Sequence, residues 1–394
     1  MRKPIILVVD DTPANIDVVR AVLGDAYRIQ AAVSGAVALK IVGRGETDLI
    51  LLDIMMPGMD GLEVCRRLKA DPASRGIPVI FLTAMATDED ESRGLELGAV
   101  DYITKPISPP VLLARVRTQL TLREAHRVLE DQQARLEAAH HQTMTSIQYA
   151  RRIQDSILPP PGMLERVFSG GHCLLWQPRD VVGGDVVWCK PWGAGHLVIL
   201  GDCTGHGVPG AFMTLIANGA LAAALAAVPP GDPAALIGHM HRTIQITLGQ
   251  DSPEGDTDDG LELGVCFLPA EMDQLVFAGA RLSLFRQEPD GPVTEIRGDP
   301  RPIGYRGQPA DVGFTNHPLP LTPGLRFFMT SDGLIDQVGG PKGLGFGKKR
   351  FMRLLESLIR TPLPAAGQAV EEAFHTHRGA QPRRDDLTVL GFGG

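Results

Sequence analysis

Five short apolar runs ahead of Lys105 carry no polar alternation: Ile5–Val9, Tyr27–Ala31, Leu49–Leu52, Val79–Leu82 and Val100–Ile103. A strand with one wet face alternates apolar with polar residues, so uninterrupted runs must be covered on both sides. Segments of helical period lie between them, Ala14–Leu23 and Leu62–Lys69 among them, and supply that cover. The pattern predicts a five-stranded parallel sheet in a doubly wound α/β layer. Ligands of such sheets bind at the carboxyl ends of the strands.

The polar residues gather at those ends. Asp10 and Asp11 follow the first run, Asp53 ends the third, Thr83 ends the fourth and Lys105 follows the fifth. Three clustered carboxylates repel one another and call for a hard divalent cation among them. Asp53 is then placed as a nucleophile towards a phosphoryl donor, with the cation and Lys105 neutralising phosphate charge and Thr83 offering a hydroxyl.

The motifs LVVDD, LLDIMMPGMDG, FLTA and Lys105-Pro106 resemble the receiver domain of response regulators over residues 4–120. The resemblance implies that Asp53 is the phosphoacceptor and that a sensor histidine kinase is the phosphodonor. It also implies Mg2+ held by Asp11, Asp53 and the carbonyl of Met55, with Asp10 in support, a cis Lys105–Pro106 bond, and Tyr102 at the family's switch position.

A chain of 394 residues is too long for one such core and suits two domains and a connector. Its net charge of −8 argues against a nucleic-acid partner, which needs a basic face. The five cysteines, Cys65, Cys173, Cys189, Cys203 and Cys266, lack zinc-ligand spacing and read as reduced thiols in a cytoplasmic protein. The first apolar run is short and ends in two aspartates, so no signal peptide is expected in MRKPIILVVDD. Gly207–Gly231 has no charge, but its alanines, interior glycines and Asn218 predict a buried core helix and no membrane partner.

Beyond Pro110 the chain stays helical until Pro159-Pro160-Pro161 stops it. Leu122, Leu129, Leu136, Thr143, Ala150 and Ile157 form one seam of a heptad, and Ala125, Gln132, Ala139, Ser146 and Ile153 the other. Small and polar seam residues make a soft coiled coil, suited to an element biased between two packings. The expectation is a linker helix over 121–158 joining a parallel homodimer, with domains at 1–120 and 159–394.

The last part changes texture. Short β-rich runs (Cys173–Gln177, His196–Leu200, Leu275–Ala278, Leu282–Phe285, Leu325–Met329, Leu387–Leu390) alternate with helical stretches at Ala211–Val228, Pro233–Leu248, Lys348–Ile359 and Ala366–His377. Antiparallel sheets flanked by helices, an α+β sandwich, are expected. Acids stand at strand ends: Asp185 in VVGGD, Asp202 in ILGDCTGHG, Asp332 in FMTSDG, and Asp385-Asp386 in RRDDLTV. Oxygen ligands without a spaced histidine or cysteine favour Mg2+ or Mn2+, and four acids suit two ions roughly 3.5–4 Å apart bridged by an attacking hydroxide. His206, between glycines, reads as positional before catalytic, and Arg179 is a candidate for the substrate phosphate.

The motifs VGGD, GDxxGHGxPGA, SDG and DDxT resemble the SpoIIE/RsbU branch of the metal-dependent PPM phosphatases over roughly 172–392. This implies two ions held by Asp185 and Asp202, helped by the Cys203 carbonyl, with Asp332 and Asp385 completing the second and Asp386 sharing the load. SIQYARRIQDSILP, GDCTGHGVPGAFMT, DGLELGVC and SDGLIDQVGG further resemble the SiaA-type subgroup, whose substrate is a small phosphoprotein, SiaC, in a partner-switching pathway. The expected function is a response regulator whose Asp53 controls a protein serine/threonine phosphatase acting on an anti-sigma-antagonist or SiaC-like protein. The rival is a binding module that sequesters a partner without turnover, which the complete acid set disfavours. Gly333–Gly347, rich in glycine beside Asp332, is expected to be a mobile flap.

Overall fold

The computed structural model describes residues 3–84, 95–252 and 257–393, so Met1 and Arg2 of the segment read for a signal peptide lie outside the described residues. The chain divides into two compact units, Met1–His140 and His141–Gly394.

In the first unit, β1 (Ile5–Val9), β2 (Arg28–Ala32), β3 (Leu49–Asp53), β4 (Val79–Thr83) and β5 (Asp101–Thr104) form one parallel sheet in the order β2-β1-β3-β4-β5. Adjacent residues of one strand serve opposite faces. Leu7, Val9, Ile50, Leu52, Val79 and Phe81 pack on α2 (Gly35–Val42) and α3 (Gly61–Ala70), which follow α1 (Pro13–Leu23). Ile6, Val8, Leu49, Leu51, Ile80 and Leu82 pack on α1 and on the start of α4 (Pro109–Asp155). Burial on both faces is the physical reason for the missing alternation.

The long helix follows the continuous helical reading of the residues beyond Pro110. It runs from Pro109 to Asp155 as one element, with no break near residue 120. Its prolines sit in the first turn, where an N–H is not needed. Past residue 120, Arg123 still donates to the carbonyls of Thr47 and Asp48, so the first unit holds the helix beyond its expected edge.

The second unit is built from two five-stranded sheets. After α5 (Met163–Val167), the strands are β6 (His172–Gln177), β7 (Asp185–Trp192), β8 (Gly195–Cys203), β9 (Leu261–Leu268), β10 (Gln274–Ala280), β11 (Leu284–Gln287), β12 (Val293–Ile296), β13 (His317–Pro320) and β14 (Arg326–Thr330). The ribbon β15 (Val338–Gly339) and β16 (Leu344–Gly345) and the strand β17 (Leu387–Gly393) complete the set. Both large sheets are antiparallel, in the orders β13-β10-β9-β8-β7 and β12-β11-β14-β17-β6.

Alternation returns here. Val187, Cys189, Val198, Leu200 and Phe277 of the first sheet meet Leu284, Phe327, Met329, Leu390 and Phe392 of the second. Val186, Trp188, Leu197 and Ile199 face outward onto α6 (Gly207–Ala227) and α7 (Pro233–Leu248). On the far side, Phe285, Phe328, Leu387 and Val389 pack on α9 (Lys348–Ser357) and α10 (Leu363–Arg378), after the short α8 (Asp332–Ile335). Four layers result, helix–sheet–sheet–helix. Pro191 lies on edge strand β7, and Pro318 and Pro320 on the opposite edge β13, where a missing N–H costs no ladder bond.

Helix α6 is long and apolar enough to cross a membrane, and it lays Met213, Ala217, Ala220, Leu221 and Ala224 into the core over the first sheet. All five cysteines are buried and unpaired. The Gly333–Gly347 segment, expected to be a mobile flap, has a defined fold in this structure. It folds into α8 and the β15–β16 ribbon, and His377 Nε2 reaches the carbonyls of Gln337 and Leu344 at 3.1 Å each.

Candidate functional site

Two acidic centres form, one in each unit. In the first, the sheet order changes direction between β1 and β3, and Asp10, Asp11 and Asp53 meet at their carboxyl ends with ligand atoms within 4.8 Å of one another. Lys105 Nζ lies 2.8 Å from Asp10 and 3.0 Å from Asp53. One cation among three carboxylates leaves a charge deficit that a divalent ion fits. Burial pushes the Asp53 carboxyl above its ordinary value despite the opposing Lys105 ammonium. Burial alone would lower Lys105, but its bonds to Asp10 and Asp53 overturn that and raise it.

Asp10 is fully buried and accepts from Asn15 Nδ2 at 2.9 and 3.0 Å and from the Thr12 N–H at 2.9 Å. Asn15 is a brace that the strand-end pattern missed. The Met55 N–H donates to Asp53, and a Cβ on Gly61 would stand 2.2 Å from the Asp53 carbonyl oxygen, so the turn after β3 closes only on glycine. Thr83 is buried at the end of β4, and its carbonyl accepts from Lys105 N–H at 2.7 Å. The Arg115 guanidinium lies 5.7 Å from the Tyr102 ring centre, and Lys105–Pro106 is cis.

In the second unit the register does the gathering. Asp185 opens β7 opposite Asp202 on β8, and Asp202 lies opposite Glu262 on β9. Directly opposed residues share a face, and here it is the inner face, since Val187, Leu200 and Cys266 of the same parity lie between the sheets. From the second sheet, Ser331 Oγ and Thr388 Oγ1 each donate to Asp185 Oδ2 at 2.6 Å, which leaves Oδ1 for a ligand. The Asp332 N–H donates to Asp202 Oδ2 at 3.2 Å. Ser331 and Thr388 sit inside the SDG and DDxT motifs, but no sequence signal separates their hydroxyls from ordinary sheet residues.

Asp386, expected to share the metal load, is engaged by backbone amides. Its oxygens accept from the backbone N–H groups of Arg179 at 2.6 Å, Gly184, and Asp185 at 3.4 Å. A carboxylate spent on three amides is a brace for the loop that carries Asp185. Gly183 follows from that brace, since a Cβ there would lie 2.5 Å from the Asp386 carboxylate, and Gly184 from the neighbouring turn, where a Cβ would lie 2.4 Å from the Gly205 carbonyl and 2.8 Å from that of Cys203. Asp385 accepts from the Asp386 N–H at 2.9 Å.

His206 is held on both nitrogens, by Asp180 at 2.9 Å and Arg179 Nη1 at 2.7 Å. Arginine can only donate, so His206 Nε2 accepts and Nδ1 carries the proton towards Asp180. Arg179 also donates to the Arg384 carbonyl at 2.9 Å. This is positional geometry, and it engages the guanidinium that the sequence offered for substrate phosphate.

Burial and the Asp386 charge push Asp185 up to about 7, against the pull of Ser331 and Thr388. Burial and then Asp385 push Asp332 to about 6. Asp202 is raised well above its ordinary value by burial, and the charges weighing on it, Asp185, Asp332 and Asp385, are all carboxylates. Such a centre fits divalent cations. Among the described residues these acids do not gather as closely as Asp10, Asp11 and Asp53 do.

A pH signature follows. Asp185 and Asp332 have folded values above the 3.8 of the free side chain, so no cost arises below about pH 4, where both states are protonated. The cost grows from there and is complete above about pH 7. Saturating Mn2+ is therefore expected to raise the melting temperature of this unit by about 5–10 °C at pH 7.5, taking ~2.7 kcal/mol at a hundredfold excess over Kd. At pH 5, where protons hold the site, the rise shrinks to a degree or two. Calorimetry showing no Mn2+ effect at pH 7.5 would contradict a metal site here.

Residues 6–117 match the response regulator receiver domain, and residues 193–392 match Stage II sporulation protein E. Over 132 residues the chain is 49% identical to a probable cyclic di-GMP phosphodiesterase of Vibrio cholerae, covering 34% of this chain and 30% of that protein. Over 114 residues it is 50% identical to the response regulator PleD of Caulobacter vibrioides, covering 29% and 25%. The chain thus spans less than a third of the length of these relatives. The SiaA-PP2C domain of Pseudomonas aeruginosa is similar at a TM-score of 0.58 and 36% identity, covering 65% of this chain and 98% of that domain.

Proposed function

The chain belongs to the Stage II sporulation protein E family and carries a response regulator receiver domain, and on that footing we propose that phosphorylation of Asp53 sets the activity of a metal-dependent protein serine/threonine phosphatase. A receiver coupled to a PPM-type phosphatase domain is the architecture; the metal, the substrate and the coupling are our reading.

The observation that carries it is the cluster of Asp185, Asp202, Asp332 and Asp385, whose carboxylates weigh on one another where buried Asp185 and half-buried Asp202 meet the exposed Asp332. Asp185, Asp202 and the Cys203 carbonyl would hold one Mn2+ or Mg2+, and Asp332 and Asp385 would complete a second. Bound there, the ions would supply a hydroxide nucleophile and charge neutralisation for the phosphoryl group. The protein's own part is orientation. Ser331 and Thr388 fix the Asp185 rotamer, and Asp386 fixes the loop before it. In the first unit, Asp11, Asp53 and the Met55 carbonyl would hold Mg2+ while a sensor histidine kinase donates phosphate, with Lys105 neutralising it.

The substrate proposed is a small phosphorylated regulatory protein, anti-sigma antagonist or SiaC-like, in a cytoplasmic partner-switching pathway. Hydrolysis of a phosphoserine or phosphothreonine peptide that requires Mn2+ supports this reading, and hydrolysis indifferent to chelation overturns it.

For the coupling, the last turn of α4 bears directly on the catalytic loop. Gln154 is buried, donates to the Gly183 carbonyl at 2.6 Å and accepts from the Gly183 N–H at 3.1 Å. Arg151 donates to the Val181 carbonyl at 2.9 Å, with its guanidinium 4.5 Å from the Trp176 ring centre. A helix that shifts here moves the backbone two residues before Asp185. Exposed Leu122, Leu129 and Leu136 supply the apolar seam for a parallel dimer. A monomer by light scattering, with and without phosphorylation, would remove that part.

A further inference from the structure

We propose that Arg281 grips the substrate's phosphoryl group, in a cavity shared with Asp202 and Asp332. The inference rests on the phosphatase reading and adds to it the residue that recognises the phosphate.

Arg281 stands where the chain passes from β10 in one sheet to β11 in the other. Its φ is +63°, and among the described residues only Met272 is another non-glycine at positive φ. A side chain in this region clashes with its own backbone, and glycine avoids that clash. Strained residues of this kind persist where the surroundings hold them and gather at functional sites. Here the backbone is held by the Arg281 N–H to the Asp299 carbonyl at 2.7 Å.

From this backbone position the side chain reaches Glu262. Arg281 Nε lies 3.2 Å from Glu262 Oε1, and Glu262 sits directly across from Asp202 on the inner face of the sheet. Glu262 belongs to DGLELGVC, the segment that pairs with the strand end carrying Asp202, and its charge also weighs on Asp332. Held through Nε, the guanidinium keeps its two terminal nitrogens, the fork that fits two phosphoryl oxygens. It is 61% exposed, and its charge is felt at Asp332.

The cavity between them measures about 210 Å³ and is lined by Asp202, Glu262, Arg281, Ser283, Asp332 and Lys348. At about 30 Å³ per water that is room for a phosphoryl group with waters beside it. Lys348 is already engaged, 2.7 Å from Glu295. Arg179, the other candidate, is tied to His206 and Arg384. Arg281 is therefore the cation that the cavity leaves for a ligand, with Glu262 as its positioning residue.

The test compares full-length wild type, Arg281→Gly and Arg281→Lys in saturating Mn2+, on p-nitrophenyl phosphate and on a serine phosphopeptide. Both variants are expected to lose about 10- to 100-fold in kcat/KM on both substrates, and inorganic phosphate to inhibit them about tenfold more weakly. Arg281→Gly should melt at or above the wild-type temperature, because glycine relieves the strain. A wild type without activity would count against the phosphatase reading itself. An active wild type whose variants keep their rates on p-nitrophenyl phosphate would overturn the Arg281 assignment, as would loss confined to the peptide or loss accompanied by a lower melting temperature.

Discussion

Asp202→Asn is expected to lower phosphoester hydrolysis by at least about a thousandfold while raising the melting temperature of the metal-free protein by several degrees. Loss of groups that merely support a metal ligand costs about 10- to 100-fold, and loss of a single charge-stabilising donor about 100- to 1,000-fold. A residue that holds an ion should cost more. Asparagine keeps an oxygen for the Asp332 N–H, so the loop after β14 retains its bond. What it removes is a half-buried charge pressed by Asp185, Asp332 and Asp385. Relief of that repulsion stabilises the empty site, because a functional centre of like charges is held at a cost in stability. Rates of hydrolysis and calorimetry without metal check the two halves. Retained turnover, or a lower melting temperature, would take Asp202 out of the centre.

Asp53→Asn and Gln154→Ala should each erase the response to acetyl phosphate, for different reasons. Couplings between sites typically run from about 5- to 150-fold, so the ratio of rates with and without acetyl phosphate should fall from that range to about one. Asparagine at position 53 cannot accept the phosphoryl group, and phosphate-affinity electrophoresis would find none incorporated. Gln154→Ala should still be phosphorylated, since position 154 is remote in sequence from the receiver centre and its bonds are made to Gly183 and Thr214. It fails to respond because both hydrogen bonds of the Gly183 clamp are gone. A Gln154→Ala protein that responds like wild type would place the coupling elsewhere.

Much of the fold was legible because the sequence wrote burial plainly. Runs without alternation marked β1, β3 and β4, whose every residue is buried. Edge strand β7 was not foreseen, since Pro191 and the flanking glycines read as loop. Strand β13 hid behind Pro318 and Pro320 for the same reason. The acids were readable because each stands at the end of an apolar run. Their partners were not. Ser331 and Thr388 reach Asp185 across 146 and 203 residues of sequence, and no local periodicity reports a bond of that kind. Asp386 looked like a ligand beside Asp385, and only the three amides facing it show a brace. Gln154 lay on the seam-flanking part of the helix as one glutamine among several, and its burial against Gly183 depends on tertiary contact alone.

The most direct measurement is the steady-state rate of serine phosphopeptide hydrolysis by the full-length protein in Mn2+, with and without acetyl phosphate, with Asp202→Asn as the blank. Turnover is expected in the wild type only, at a rate that changes by about fivefold or more when Asp53 is phosphorylated. Equal rates in the two states, with phosphate shown to be on Asp53, would contradict it.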